Sequence, residues 1–138
     1  LVKLKQAGIQ SSVMILNGMG GRRFSQQHAI NSARLMNATQ PEYLSTLVVS
    51  FPLGEERVQA GFNGQFEPLD QMSLFHEIRT LLQHLELDNT VFRSDHASNY
   101  LVLKGTLGAD KQAMLEKVDL AINQPGRIPL RPEWMRGL

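Results

Sequence analysis

Cysteine is absent from all 138 residues of this sequence. Its absence excludes disulfide bonds, cysteine-ligated zinc and any iron–sulfur cluster held by this chain alone. An excess of charge is also lacking, because 14 Lys and Arg residues oppose 13 Asp and Glu residues and leave a formal net charge of +1. This balance gives no general reason to expect a nucleic acid or a membrane surface as a partner.

Long hydrophobic runs are missing as well. No stretch approaches the roughly 18 apolar residues that a membrane-spanning helix needs, and no signal peptide opens the sequence. We therefore expect a cytoplasmic protein without a membrane partner. Hydrophobic residues make up 42% of the chain and charged residues 20%, which is typical of one globular domain.

The opening segment, "LVKLKQAGIQ", reads as the last turns of a helix that ends at Gly8. It has no initiator methionine. We therefore expect the sequence to be the C-terminal portion of a longer protein.

A strand, a helix and a second strand follow in order. "SSVMILN" (11–17) is a short continuous apolar run, which predicts a strand buried on both faces. An apolar stripe then predicts a helix capped by Ser25 and continuing to about Asn37. After Pro41, a β-branched run predicts a strand near 44–50. This order is a βαβ unit, whose strands are parallel and whose crossover is right-handed.

The remaining elements are predicted from turn residues and hydrophobic spacing. They are a long loop at 52–69 with room for a short hairpin, a helix at 70–86 capped by Asp70, a strand at 90–94, an extended loop through "DHASNYLVLKG", and a helix at 109–123. The domain is expected to occupy residues 1–123. A basic, proline-containing tail at 124–138 follows, with Trp134 packed on the domain.

The glycine turn in "MILNGMGGRRFS" (14–25) differs from two known phosphate-binding patterns. A dinucleotide fingerprint fails because Arg23 stands where the third glycine is needed, and a P-loop fails because no Gly-Lys-Ser/Thr follows. Two interpretations remain open. The glycines either let the backbone approach a planar or charged ligand, or only form a tight corner between strand and helix.

Several stretches resemble the C-terminal part of the radical S-adenosylmethionine (radical SAM) enzymes, specifically their iron–sulfur oxidoreductase-like members. They are "KQAGIQSSVMILNGMGG", "HAINSARLMNATQPEYLSTLVVSFPLGEE", "GFNGQFEPL" and "VFRSDHASNYLVLKG". The resemblance implies an α/β fold in which parallel βαβ units form the C-terminal part of a partial (β/α)6 TIM-like barrel. The cysteines that hold the 4Fe–4S cluster lie in the first half of such barrels, so the implied partner is a missing N-terminal half.

The resemblance also implies cofactor contacts. The family's fifth-strand pattern falls on Met14, Leu16, Gly18 and Gly21; Leu16 and Gly18 match it, whereas Met14 and Gly21 depart. Leu16 and Gly18 are therefore the expected adenine contacts. The implied function of the parent is 5′-deoxyadenosyl radical chemistry with S-adenosylmethionine and the cluster, and this chain alone is expected to be inactive.

Two further groups of residues are candidates for binding the cofactor and the substrate. Ser50 and Phe51 follow the sixth strand, where the resemblance places backbone groups at the adenine edge. The polar stretch after the third strand supplies the substrate-pocket candidates, which are Arg93, Asp95, His96 and Asn99. That stretch is equally consistent with a turn held by its own backbone, and no metal site is expected.

The competing function is a non-catalytic α/β module. It would bind a phosphorylated ligand at the Gly18–Arg23 turn, or a partner through the tail. The half-barrel interpretation differs in exposing strand edges, which favours self-association.

Overall fold

The structure is a computed structural model that describes residues 1–137. These residues form five α-helices and four strands. They are α1 (Val2–Gln6), β1 (Ser12–Asn17), α2 (Gly21–Thr39), β2 (Tyr43–Val48), α3 (Glu56–Gly61), α4 (Gln71–His84), β3 (Val91–Ser94), β4 (Leu103–Thr106) and α5 (Lys111–Asn123), followed by short 3-10 turns at Pro125–Arg127 and Glu133–Met135.

The strands form one mixed sheet in the order β1-β2-β3-β4. β1, β2 and β3 are parallel, which confirms the α/β class and the predicted βαβ unit. β4 runs antiparallel to β3, with Leu103 opposite Ser94. The prediction of an extended loop here was wrong, because Leu103 alternates with exposed neighbours and fills the core as an edge strand does.

The core lies on one face of the sheet. Helix α4 contacts both α2 and α5, so the three long helices form a single layer. Small residues on α2, Ala29 and Ala33, are almost completely buried and allow this close packing. Leu44 and Phe92 contribute the matching side chains from the central strands.

The other face of the sheet has no helix layer among the described residues. Ile15 points to the core and is 8% exposed, whereas Met14 and Leu16 are 68% and 42% exposed. The prediction that this strand is buried on both faces was therefore wrong. A continuous apolar run does not distinguish a strand between two layers from a strand whose second layer is absent. The described strands form an open sheet and not a closed barrel.

Three local predictions also need correction. Helix α2 begins at Gly21 with Gly20 as its N-cap, so Ser25 lies inside the helix. The 52–69 segment contains the short helix α3 and no hairpin. Trp134 is 83% exposed and does not pack on the domain. By contrast, Gly8 ends α1 with φ +71°, as expected.

No helix within residues 1–137 combines the length and apolarity that crossing a membrane requires.

Candidate functional site

The glycine turn between β1 and α2 is held by a buried carboxylate. Gly18 has φ +86°, and its backbone N donates a hydrogen bond of 2.6 Å to Oε1 of Glu77 on α4. The Ser25 hydroxyl donates to Oε2 of the same carboxylate. Glu77 is only 2% exposed. One side chain therefore fixes both ends of the turn from the helix layer.

Most backbone N–H groups of this turn are used within the chain. Met19 N donates to Leu16 O at 3.2 Å, and Gly21 N donates to Gly18 O at 2.9 Å. Arg22 N donates to Glu67 O at 2.8 Å. A phosphate cradle needs several free N–H groups aimed at one point, so this arrangement favours a packed corner.

The two arginines of the turn are also engaged. The Arg22 guanidinium lies 3.1 Å from Asp70 Oδ2, and Arg23 donates to the Gln65 side chain at 2.9 Å. The pKa of Asp70 is lowered to about 2, chiefly because its carboxylate accepts a hydrogen bond from Ser73 N, with Arg22 contributing. This bond confirms Asp70 as the N-cap of α4.

The close approach at Gly21 is to the protein's own chain. Its φ is +57°, and a Cβ there would lie 3.0 Å from Glu67 O and 3.1 Å from the Phe66 ring. Phe66 in turn packs edge-on against Phe51 and Phe62, at centroid distances of 5.5 and 5.0 Å. An aromatic cluster thus covers the turn from the side of the long loop.

The four expected cofactor residues lie at neighbouring strand ends. Leu16 is opposite Leu47 on the open face, and Val49 N donates to Asn17 O at 2.9 Å, which places Gly18 beside Val49. Ser50 and Phe51 follow directly and are half-buried. The fold therefore gathers these residues at the carboxyl ends of β1 and β2, where open α/β sheets bind ligands.

The four expected substrate residues divide into two groups. Arg93 is exposed on the open face opposite Lys104. Asp95 Oδ2 lies 2.9 Å from Lys104 Nζ, and this hydrogen bond lowers the pKa of Asp95. His96 is exposed, whereas Asn99 is 3% exposed and donates to Thr46 O at 2.8 Å. Arg93, Asp95 and His96 are accessible; the Asn99 side chain anchors the loop to β2.

The C-terminal tail is hydrogen-bonded to the loop at 96–100. Arg131 Nη1 donates to three backbone carbonyls of the loop, those of His96, Ala97 and Asn99, at 2.8, 3.1 and 2.5 Å. Arg136 donates to Ser98 O at 2.9 Å, and its guanidinium lies 3.9 Å from the Tyr100 ring centroid. These arginines bind protein carbonyls, which the basic composition alone did not reveal.

Tyr100 and Glu133 complete this tail contact. Tyr100 Oη donates to Glu133 Oε2 at 2.6 Å. Burial and this hydrogen bond raise the pKa of Tyr100, and the same bond lowers the pKa of Glu133. We call Arg131, Glu133 and Arg136, together with the groups that they bind in residues 96–100, the tail clasp.

Glu77 is the main residue that sequence reasoning missed. It lies on the buried side of α4 beside Leu74 and Ile78, at 6% and 5% exposure. An acidic residue within an apolar helical stripe is a recognisable signal, because a buried carboxylate requires hydrogen-bond partners.

No group of three or more His, Cys, Asp and Glu side chains within residues 1–137 is arranged to hold a metal ion. Comparisons of the chain with protein-family models, with curated proteins and with solved structures found no match.

Proposed function

We propose that this chain is the C-terminal part of a radical SAM enzyme. In this proposal it provides one wall of the adenine site and part of the substrate pocket. The partner is the missing N-terminal half, whose strands would continue the sheet beyond β1 and complete a (β/α)6 TIM-like barrel. The chain alone is inactive.

The one-sided sheet is the observation that carries this proposal. All three long helices lie on one face. The opposite face exposes apolar side chains of the adjacent strands β1 and β2, including Met14, Leu16 and Tyr43 at 68%, 42% and 43%. In an α/β barrel, helices cover the outside of a parallel sheet and the other face lines the interior. Exposed apolar side chains on the inner face are expected when part of the barrel is absent.

The residues present fit the adenine ring of S-adenosylmethionine but not the 4Fe–4S cluster. Leu16 offers an exposed apolar side chain beside the end of β2, where Ser50 and Phe51 supply backbone groups, so these residues would hold an adenine ring. Without cysteine the chain has no ligands for the 4Fe–4S cluster. With both groups bound, the parent would generate the 5′-deoxyadenosyl radical, and this chain would position and shield the reacting groups.

The module interpretation, with a phosphorylated ligand at Gly18–Arg23, has less support. The turn donates its N–H groups to Glu77, Glu67 and its own carbonyls, and Arg22 already has an acidic partner. An anion would have to displace these contacts.

The decisive experiment uses the longer parent chain, expressed anaerobically with a reconstituted cluster. We expect reductive formation of 5′-deoxyadenosine from S-adenosylmethionine. Leu16→Glu should reduce its formation about tenfold, because a charge replaces an apolar contact worth ~1.5 kcal/mol. Leu35→Glu is the matched control, since Leu35 is 56% exposed on α2 within the helix layer. Absence of 5′-deoxyadenosine with an intact cluster would reject the proposal.

A further inference from the structure

A narrow cavity lies between the carboxyl ends of the strands and helix α4. Most of its lining is apolar, but three uncharged polar side chains also line it, those of Asn17, Ser94 and Asn99. Asn17 ends β1 and Ser94 ends β3, whereas Asn99 belongs to the loop after β3. The cavity has a volume of about 20 Å³. A water molecule needs roughly 10–15 Å³, so there is room for one molecule of that size.

The three polar side chains are buried, and they have few hydrogen-bond partners in the protein. Asn17, Ser94 and Asn99 are 4%, 3% and 3% exposed. Within residues 1–137, the side chains of Asn17 and Ser94 make no hydrogen bond to another protein group. Asn99 uses only Nδ2, which donates to Thr46 O at 2.8 Å. Because buried polar groups are normally bonded to protein or to ordered water, these side chains require a further partner.

The lining favours a neutral partner that both donates and accepts hydrogen bonds. None of the lining residues carries a charge at neutral pH, and burial of an ion without a counter-charge is strongly unfavourable. The Asn17 amide and the Ser94 hydroxyl can each donate and accept, and Asn99 Oδ1 can accept. The hydroxyl of Tyr100, which also lines the cavity, is already bonded to Glu133 and Arg136. A water molecule matches both the size and the chemistry.

We propose that this cavity binds one water molecule, which connects the ends of β1 and β3 to the loop at 96–100. β2 lies between β1 and β3, so no backbone ladder joins these two strand ends. The water supplies the missing connection through Asn17 and Ser94, and through Asn99 it adds to the anchoring of the loop. This site does not depend on the proposed function, because it is defined by the side chains of this chain alone.

The direct test is a crystal structure of the full 138-residue chain at a resolution that shows ordered water. We expect one density peak in the cavity, within hydrogen-bond distance of the Asn17 and Ser94 side chains. A cavity without density would overturn the proposal. A direct hydrogen bond between the side chains of Asn17 and Ser94 would overturn it as well, because the two groups would then satisfy each other.

The second test is the stability of Ser94→Ala, measured by urea denaturation. If the hydroxyl binds water, its removal leaves the water and Asn17 with one partner fewer, and the denaturation midpoint should fall. If the hydroxyl has no partner, its removal eliminates an unsatisfied buried group, and the midpoint should stay the same or rise.

Ser45→Ala is the matched control for this substitution. Ser45 is half-buried on β2 and, next to the core residue Leu44, faces the other side of the sheet. Its replacement should leave the midpoint nearly unchanged. A midpoint of Ser94→Ala equal to or above that of the unmodified chain would overturn the proposal, and so would an equal decrease in both variants.

Discussion

Glu77 Oε1 accepts a hydrogen bond of 2.6 Å from the backbone N of Gly18, across 59 residues of sequence. The carboxylate is buried between α2 and α4, and Ser25 satisfies its second oxygen. The shape of the strand-to-helix corner therefore depends on a side chain from a distant helix.

Replacement of this carboxylate should destabilise the fold. Glu77→Ala leaves Gly18 N without its acceptor, at an expected cost of about 2–4 kcal/mol, and Glu77→Gln should cost less because an acceptor remains. Urea denaturation measures both. Glu86→Gln, at an exposed loop position, is the control and should stay within about 0.5 kcal/mol. Equal stability of Glu77→Ala and the control would contradict the assigned contact.

Gly21 should not tolerate a side chain. Alanine there would have an unfavourable φ of +57° and a Cβ at 3.0 Å from Glu67 O, so we expect a loss of about 1–3 kcal/mol. Gly61→Ala is the matched control, because it ends α3 with nothing within 4 Å of the added carbon. Thermal unfolding compares the two variants. A Gly21→Ala melting temperature as high as that of Gly61→Ala would be inconsistent with the packed corner.

Asp70 should make stability depend on pH in the acid range. Its pKa is lowered in the folded state from 3.8 to about 2, so its stabilising effect is complete above pH 3.8 and declines as pH falls through about 2. Asp70→Asn retains an N-cap acceptor but no charge. The stability of the unmodified chain should therefore exceed that of Asp70→Asn at neutral pH and approach it near pH 2. A difference that is independent of pH, measured by urea denaturation, would contradict this.

The open face should promote self-association of the isolated chain. β1 pairs only with β2 among the described strands, and Met14 exposes 68% of its surface on that face. Sedimentation velocity should detect dimers or larger species at high concentration, and Met14→Lys should shift them to monomer. Met72→Lys on α4, where Met72 is 40% exposed, should not. A chain that is monomeric at every concentration would contradict the prediction.

The tail clasp should protect the loop at 96–100 from hydrogen exchange. Arg136, whose side chain is 6% exposed, bonds Ser98 O and covers the Tyr100 ring. Arg136→Ala should accelerate amide exchange in that loop roughly tenfold to a hundredfold without a comparable change in the core. Arg127→Ala is the control, since the Arg127 side chain donates to Gln124 within the tail. Unchanged exchange in Arg136→Ala would show that the loop is ordered without the clasp.

Local sequence patterns predicted much of the secondary structure correctly. The β-branched run after Pro41 became β2, and Asp70 caps α4 as predicted. Gly8 ends α1 with a positive φ, as predicted. β4 was missed because a four-residue edge strand is defined by pairing with β3 more than by its own composition.

The sequence by itself determined the α/β class, the parallel βαβ unit and the inability of this chain to bind a cluster through cysteine. These three properties follow from local periodicity and composition, which do not depend on how distant segments pack. Only the tertiary structure decided that Leu16 faces an uncovered side of the sheet, that Glu77 holds Gly18, and that the tail arginines bind the His96 loop. Each of these contacts depends on a segment that is distant in the sequence. Hydrophobic spacing within one segment does not show which distant segment will pack against it or bond to it.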